Sequence, residues 1–382
     1  MAKSSNSFLA DLRAEAPVLV GAATTVIFFT VGKDWADTFG QPAFTVGIFV
    51  WLFAAMMWCA FGVVRHAEAL AEYLGEPYGT LILTIAVIAI EVTIMATVML
   101  HGGPNPTLPR DTVFAVLMIV LNGMVGVSVM LGAWRHRQQQ YSLQGAVAFL
   151  AVISCLAIIA LVLPSFTTST QGPTLSRLQE TVFGVLTTAL YAGFLLIQTM
   201  RHRTFFMETE AVTEPGHGAH AKASQGPGHG PAHSLAYHAV LLLLTLLPVV
   251  LLSKPLAHII DYGIEVLHAP TALGGVIIAV LVLSPEGLAS FQAARRNQLQ
   301  RSVNLSLGSA LSTIGLTIPS MLAISLITGT PLELGLVPAE AILLVLTLFI
   351  AQMTFSGAPT NILLGSVHLV LFATFVVLIF NP

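Results

Sequence analysis

Eleven runs of mostly apolar residues recur along this chain of 382 residues, and they constrain its fold more than any other feature. A helix needs about 20 such residues to cross a hydrocarbon layer about 30 Å thick, at a rise of about 1.5 Å per residue. The runs extend over Glu15 to Thr30, Pro42 to Val64, Tyr78 to Leu100, Asp111 to Trp134, Gln144 to Leu163, Leu178 to Met200, Leu235 to Leu252, Thr271 to Phe291, Val303 to Thr328, Gly335 to Met353 and Asn361 to Phe380. Hydrophobic residues make up 55% of the chain and charged residues only 9%, against about 25% charged in an ordinary soluble domain. So few charges cannot cover a surface that faces water. The sequence therefore predicts an all-α polytopic protein with eleven transmembrane helices, whose solvent is the lipid bilayer of the cell (inner) membrane.

The same composition narrows the partners. A net charge of −3 gives no reason to expect a nucleic-acid partner. Cys59 and Cys155 both lie in apolar runs and argue for neither a disulfide framework nor a zinc site. The first residues are polar and carry Asp11 and Glu15, unlike the apolar core of a secretory signal, so the first run is read as a retained span. Eleven Lys and Arg fall on the side of the N-terminus and four on the other: Lys33, Arg110, Arg177 and Lys254. The side rich in Lys and Arg is the cytoplasmic one. The N-terminus is expected in the cytoplasm and the C-terminus, after eleven spans, outside it.

The chain also repeats itself. Shifted by 193 residues, Glu68 falls on Asp261, Glu72 on Glu265, Leu74 on Leu267, Pro77 on Pro270, and Ile85-Ala86-Val87 on Ile278-Ala279-Val280. An insertion at Ser284-Pro285 then brings Glu91 onto Glu286. Spans two to six match spans seven to eleven, and five spans per half is an odd number, so the halves enter the membrane in opposite directions. Such inverted repeats are common in secondary transporters, which bind their substrate near the midplane between the halves. The expected organisation is 1–34 for an added N-terminal span, 35–200 for the first repeat, 201–233 for a cytoplasmic linker and 234–382 for the second repeat. His217, His220, His229 and His233 sit in a Gly/Pro-rich part of the linker; that spacing fixes no metal geometry, and a flexible joint is the preferred reading.

The candidate chemistry lies in the spans. Glu91 and Glu286 are flanked by apolar residues, where a carboxylate costs at least about 2.5 to 3.5 kcal/mol and is functional by default. Glu180 and Glu340 lie near the starts of their spans, within reach of water. A dry surrounding favours a neutral acid and a nearby cation favours a carboxylate, so protons and a metal cation compete for the same oxygens. That competition is the physical basis of antiport. Pro285 and Gly287 flank Glu286 and predict an unwound helix there, with Ser284 beside it. The next span carries Ser306, Gly308, Ser309, Ser312, Thr313 and Pro319, and its counterpart Asn122, Gly123, Gly126 and Ser128. Hard cations take oxygen ligands, and Ser309, Thr313 and Asn122 are the better candidates; close helix packing explains the small residues equally well. Glu68 with Glu72, and Asp261 with Glu265, are expected just outside the spans as vestibules on opposite faces, or simply as solvated helix faces. His101, His238 and His368 are expected to be packed or interfacial.

The stretches Ala67–Thr93 and Leu281–Pro319 resemble the two repeats of ChaA-type antiporters, in the Ca²⁺/H⁺ exchanger branch of the cation/Ca²⁺ exchanger superfamily. The resemblance extends over nearly the whole chain, including eleven spans as one plus five plus five. It implies that Glu91 and Glu286 match the glutamates of the superfamily's Gly-Asn-x-x-Glu core. Val87-Ile88 and Val282-Leu283 stand in place of the Gly-Asn pairs, with Ser284 the nearest polar substitute. That leaves fewer oxygens than the six to eight a calcium ion typically takes. The resemblance thus implies exchange of Na⁺ and K⁺ as well as Ca²⁺ for protons, with no cofactor beyond the transported cation. A passive cation channel is the alternative, separable by whether flux depends on a proton gradient. Neither a His-Glu-x-x-His nor a Gly-x-Ser-x-Gly motif occurs, and no enzyme is expected.

Overall fold

The computed structural model describes residues 15–32, 35, 41–75, 78–101, 105–201, 234–266, 268–357 and 359–381. Within them the chain forms eleven helices. These are α1 (Ala16–Thr30), α2 (Pro42–Leu74), α3 (Tyr78–His101), α4 (Leu108–His136), α5 (Leu143–Phe166), α6 (Arg177–Met200), α7 (Leu235–Glu265), α8 (Ala272–Arg295), α9 (Leu299–Thr328), α10 (Pro338–Thr354) and α11 (Ile362–Phe380). Among the described residues nine are long and apolar enough to cross a membrane; α1 and α10 are apolar but shorter, at 15 and 17 residues. The linker histidines of the sequence reading lie outside the described residues.

Two expected boundaries move. Apolar character ends near Val64 and Leu252, but α2 continues to Leu74 and α7 to Glu265. The segment after Val64, RHAEALAEYL, is rich in Ala, Glu and Leu, strong helix formers, and α2 stops only at Gly75, whose φ of 63° suits glycine. Pro248 and Pro255 both lie inside α7, where neighbouring helices can make good the lost backbone bonds. Glu68 and Glu72, and Asp261 and Glu265, therefore sit within the last turns of continuous helices rather than beyond them.

Helix α1 lies outside the repeat and seats on both halves. A Cβ on Gly21 would meet Cys59 Sγ at 2.5 Å and Pro248 Cβ at 2.9 Å, so glycine lets α1 approach α2 and α7. At its N-terminus Glu15 accepts hydrogen bonds from Arg65 at 2.8 Å and Tyr237 at 3.0 Å, beside His66. This cluster marks the face from which the linker departs. Equally close contacts bind α8 to α4, where a Cβ on Gly275 would lie 2.6 Å from the Asp111 and Thr112 backbone.

On the opposite, far face the loops are stitched together. Glu333 N–H donates to Pro106 O at 3.0 Å, Gly335 to Pro173 O at 3.0 Å and Leu336 to Leu161 O at 2.8 Å. Arg110 adds a bond to Gly335 O at 3.2 Å and pairs with Asp111 at 2.8 Å.

Regularity is lost in helices other than the expected one. The unwinding predicted at Ser284-Pro285 is absent: α8 runs unbroken from Ala272 to Arg295 with Pro285 inside it. Instead α4 widens to a π-helical turn in midspan at Ile119–Met124 and α9 at Thr313–Thr317, while α5 and α6 widen toward their C-terminal ends, at Ile158–Val162 and Ile197–Arg201. Pro319 follows directly in α9, and its missing N–H would break a tighter ladder. Such bulges concentrate at functional sites.

Candidate cation and proton site

Glu91 lies midway along α3 and Glu286 midway along α8. Glu91 is fully buried, and the two carboxylates feel each other's charge. Helix α9 places hydroxyls against both. Ser309, Thr313 and Thr317 recur every four residues, so they share one face of the helix. Thr313 Oγ1 donates to Glu91 Oε2 at 2.9 Å, Thr317 adjoins Glu91, and Ser309 adjoins Glu286. Glu91 Oε1, Glu286 Oε2 and Thr317 Oγ1 are enclosed without a hydrogen bond of regular geometry among the described residues. Orphaned acceptors of this kind are costly in a dry interior, and two carboxylates sharing a site favour either protons or a cation between them.

A cavity of about 350 Å³ reaches this site from the linker face. Gln198, Thr199 and Arg301 line its mouth, and Glu286, Ser309 and Ser312 its inner end. Glu91 does not border it. On the far face, where the loop contacts above lie, an apolar pocket of about 190 Å³ between α2, α7 and α8 borders neither glutamate.

Of the residues singled out in the sequence, the structure brings Glu91, Glu286, Ser309 and Thr313 together. It does not add Ser284, whose hydroxyl donates back to Val280 O in its own helix. Nor does it aim Asn122 at the carboxylates. Asn122 is fully buried in the widened turn of α4, where Nδ2 donates to Thr347 Oγ1 at 2.9 Å and Oδ1 meets His368 Nδ1 at 3.2 Å. His368 Nε2 in turn contacts Thr354 Oγ1 at 2.9 Å, so His368 is a packed residue, as expected. The vestibule pairs separate: Glu68 and Glu72 end α2 on the linker face, and Asp261 and Glu265 end α7 on the far face.

Sequence reasoning missed Thr317, although the repeat could have found it. The shift that carries Glu91 onto Glu286 carries Asn122 onto Thr317, and both stand in widened turns. Sequence reasoning named Ser128 and Ser306 but missed Ser290 and Ser302, with which they form a buried cluster one turn from Glu286. Ser290 Oγ lies 3.1 Å from Ser128 Oγ, 2.7 Å from Ser302 Oγ and 3.0 Å from Ser306 Oγ. These hydroxyls satisfy one another and hold α4, α8 and α9 together. No group of three or more His, Cys, Asp or Glu that could hold a metal occurs among the described residues; a cation here would be held by two carboxylates, hydroxyls and water.

An all-helical membrane protein with paired midspan carboxylates and an added first helix is the class that fold and site define. The chain belongs to the sodium/calcium exchanger protein family, which matches residues 44–200 and 237–381. It is 43% identical over 319 residues to the putative ionic transporter y4hA of Sinorhizobium fredii, spanning 83% of this chain and 84% of that protein. It is 38% identical over 322 residues to the sodium-potassium/proton antiporter ChaA of Escherichia coli, spanning 84% and 85%. The fold is similar to that of the Ca²⁺/H⁺ antiporter protein YfkE, with a TM-score of 0.72 and 16% identity over 96% of this chain and 99% of that one.

Proposed function

We propose that this protein exports Na⁺, K⁺ or Ca²⁺ across the cell membrane in exchange for protons, by alternating access, with Glu91 and Glu286 as oxygens shared between cation and proton. The observation that carries this reading is the pair of enclosed carboxylates, without an ion pair among the described residues, one of which, Glu286, is reached from the linker face. A protonated pair is neutral and stable in the dry site. A cation arriving through the cavity displaces protons and neutralises the carboxylates instead, so the site is never left as two bare charges. The names of the relatives support the same reading, since one exchanges sodium and potassium for protons and another, similar in fold, exchanges calcium. The cytoplasmic side is then the linker face, where the cavity opens, and the site works without a resident cofactor.

The mechanism follows from access. In the state described, Glu286 exchanges ions with the linker face while the far-face loops are shut. Exposure to the far side requires the Arg110–Gly335 contact and the three backbone bonds beside it to part, and the cavity to close. Ser309 and Thr313 stay with their carboxylates and keep part of the coordination in both states. The test is flux in vesicles or proteoliposomes under an imposed pH gradient. Glu91→Gln and Glu286→Gln should each lower exchange at least about 100-fold while the protein remains folded, because Gln keeps the shape but neither releases a proton nor neutralises a cation. Near wild-type exchange by a folded Glu286→Gln variant would refute the reading. Flux indifferent to the pH gradient would indicate a channel.

A further inference from the structure

The cavity that leads to Glu286 carries an unexpected charge for a cation path. Among the described residues its lining includes two charged side chains, Glu286 at the inner end and Arg301 at the mouth. Arg301 is exposed and retains its proton at any physiological pH. It stands in the first turn of α9, a regular helix from Leu299 to Ser312. Ser309, which adjoins Glu286, lies two turns further on, so a cation at Glu286 sits roughly 12 Å along the axis from this fixed positive charge. Glu68, at the end of α2, feels the charge of Arg301 and partly offsets it.

We propose that Arg301 sets the valence preference of this path, holding back divalent cations more than monovalent alkali cations. The proposal rests on the antiport reading above and adds which class of cation it favours. Coulomb repulsion is proportional to the charge of the ion, so a divalent ion meets twice the barrier of a monovalent one. Low-dielectric walls focus that field along the cavity. Since energies enter exponentially, the factor by which Arg301 weakens divalent binding is the square of its factor for monovalent binding. At about 12 Å, with an effective dielectric of about 40, the monovalent factor is about threefold and the divalent factor about tenfold. The same residue explains how a two-carboxylate site, well matched in charge to one divalent ion, can still serve monovalent ions.

The experiment measures apparent affinity for Na⁺ and for Ca²⁺ in proteoliposomes, at low ionic strength and at a pH where affinity has stopped changing with pH. Ca²⁺ is scored as transported ion or as inhibitor of Na⁺ flux. Arg301→Gln should tighten Na⁺ about threefold and Ca²⁺ about tenfold, and Arg301→Glu should extend these to about tenfold and 100-fold. Arg301→Lys should keep the wild-type ratio, and Glu68→Gln should shift it the opposite way. Raising ionic strength with an impermeant organic salt should shrink every difference, because an exposed charge is screened. Equal changes for both ions, or none, in folded Arg301→Gln would overturn the proposal and leave Arg301 a structural residue. Failure of the carboxylate reading shows separately, as exchange retained by Glu286→Gln measured alongside.

Discussion

Glu91 and Glu286 hold the same place in the two halves of the chain, but their surroundings differ. Glu286 borders a cavity of about 350 Å³, while Glu91 is fully buried beyond it and takes a hydrogen bond from Thr313 at 2.9 Å. An inverted repeat supplies two similar carboxylates from opposite directions. A single conformation does not make them equivalent, because here the cavity reaches only Glu286. Under the proposed function this asymmetry marks one half of a transport cycle: the carboxylate of the second repeat is open to the linker face, and that of the first repeat is occluded.

The largest effect expected from this difference is in chemical access. A water-soluble carbodiimide added from the linker face should modify Glu286 and spare Glu91, read by peptide mass analysis. Cross-linking the far-face loops through cysteines at Pro106 and Glu333 should preserve that pattern and stop exchange. Equal labelling of both glutamates in the cross-linked protein would break the comparison.

The hydroxyls sharpen it. Thr313→Val removes the donor to a dry carboxylate, and a hydrogen bond to a charged group contributes about 1.5 to 3 kcal/mol. Cation affinity should fall about tenfold or more. Ser309→Ala removes a neighbour of Glu286 at the end of a cavity, where water can take the place of the lost hydroxyl, and should cost about threefold or less. Flux titrations with one cation compare the two, and an equal loss would contradict the contrast.

Smaller effects are expected where the sequence placed ligands and the structure does not. Asn122→Ala should leave cation affinity nearly unchanged but lower thermal stability in detergent by about 1 to 3 kcal/mol, because His368 and Thr347 lose a buried partner. Ser284→Ala should change neither measurably, since its hydroxyl serves only Val280 O. Loss of exchange in either variant without unfolding would return that residue to the site.

These cases show what was legible in the sequence. The eleven helices and the carboxylate pair stood out because apolar runs and intramembrane charges leave few physical alternatives. The ends of α2 and α7 did not, because Arg65, Glu68 and Glu72, or Ser253-Lys254-Pro255, end the apolar character without ending the helix. Pro285 misled for a related reason. A proline predicts the loss of one backbone bond, but packing decides whether the helix opens or stays closed, and here the midspan irregular turns fell in α4 and α9. Asn122 and Thr317 are equivalent in the repeat, yet Thr317 faces Glu91 and Asn122 faces His368. Which polar residue joins the site depends on the rotation of each helix in one conformation, which the linear pattern does not carry.

The central claim is that cation and proton share the same carboxylate oxygens. Purified protein in a weakly buffered detergent solution tests it without any flux. Adding Na⁺ or Ca²⁺ should release protons into the medium, apparent affinity should weaken steadily as pH falls, and the Glu91→Gln, Glu286→Gln double variant should lose both effects. Saturable cation binding that releases no protons and keeps one affinity across the pH range would contradict the account.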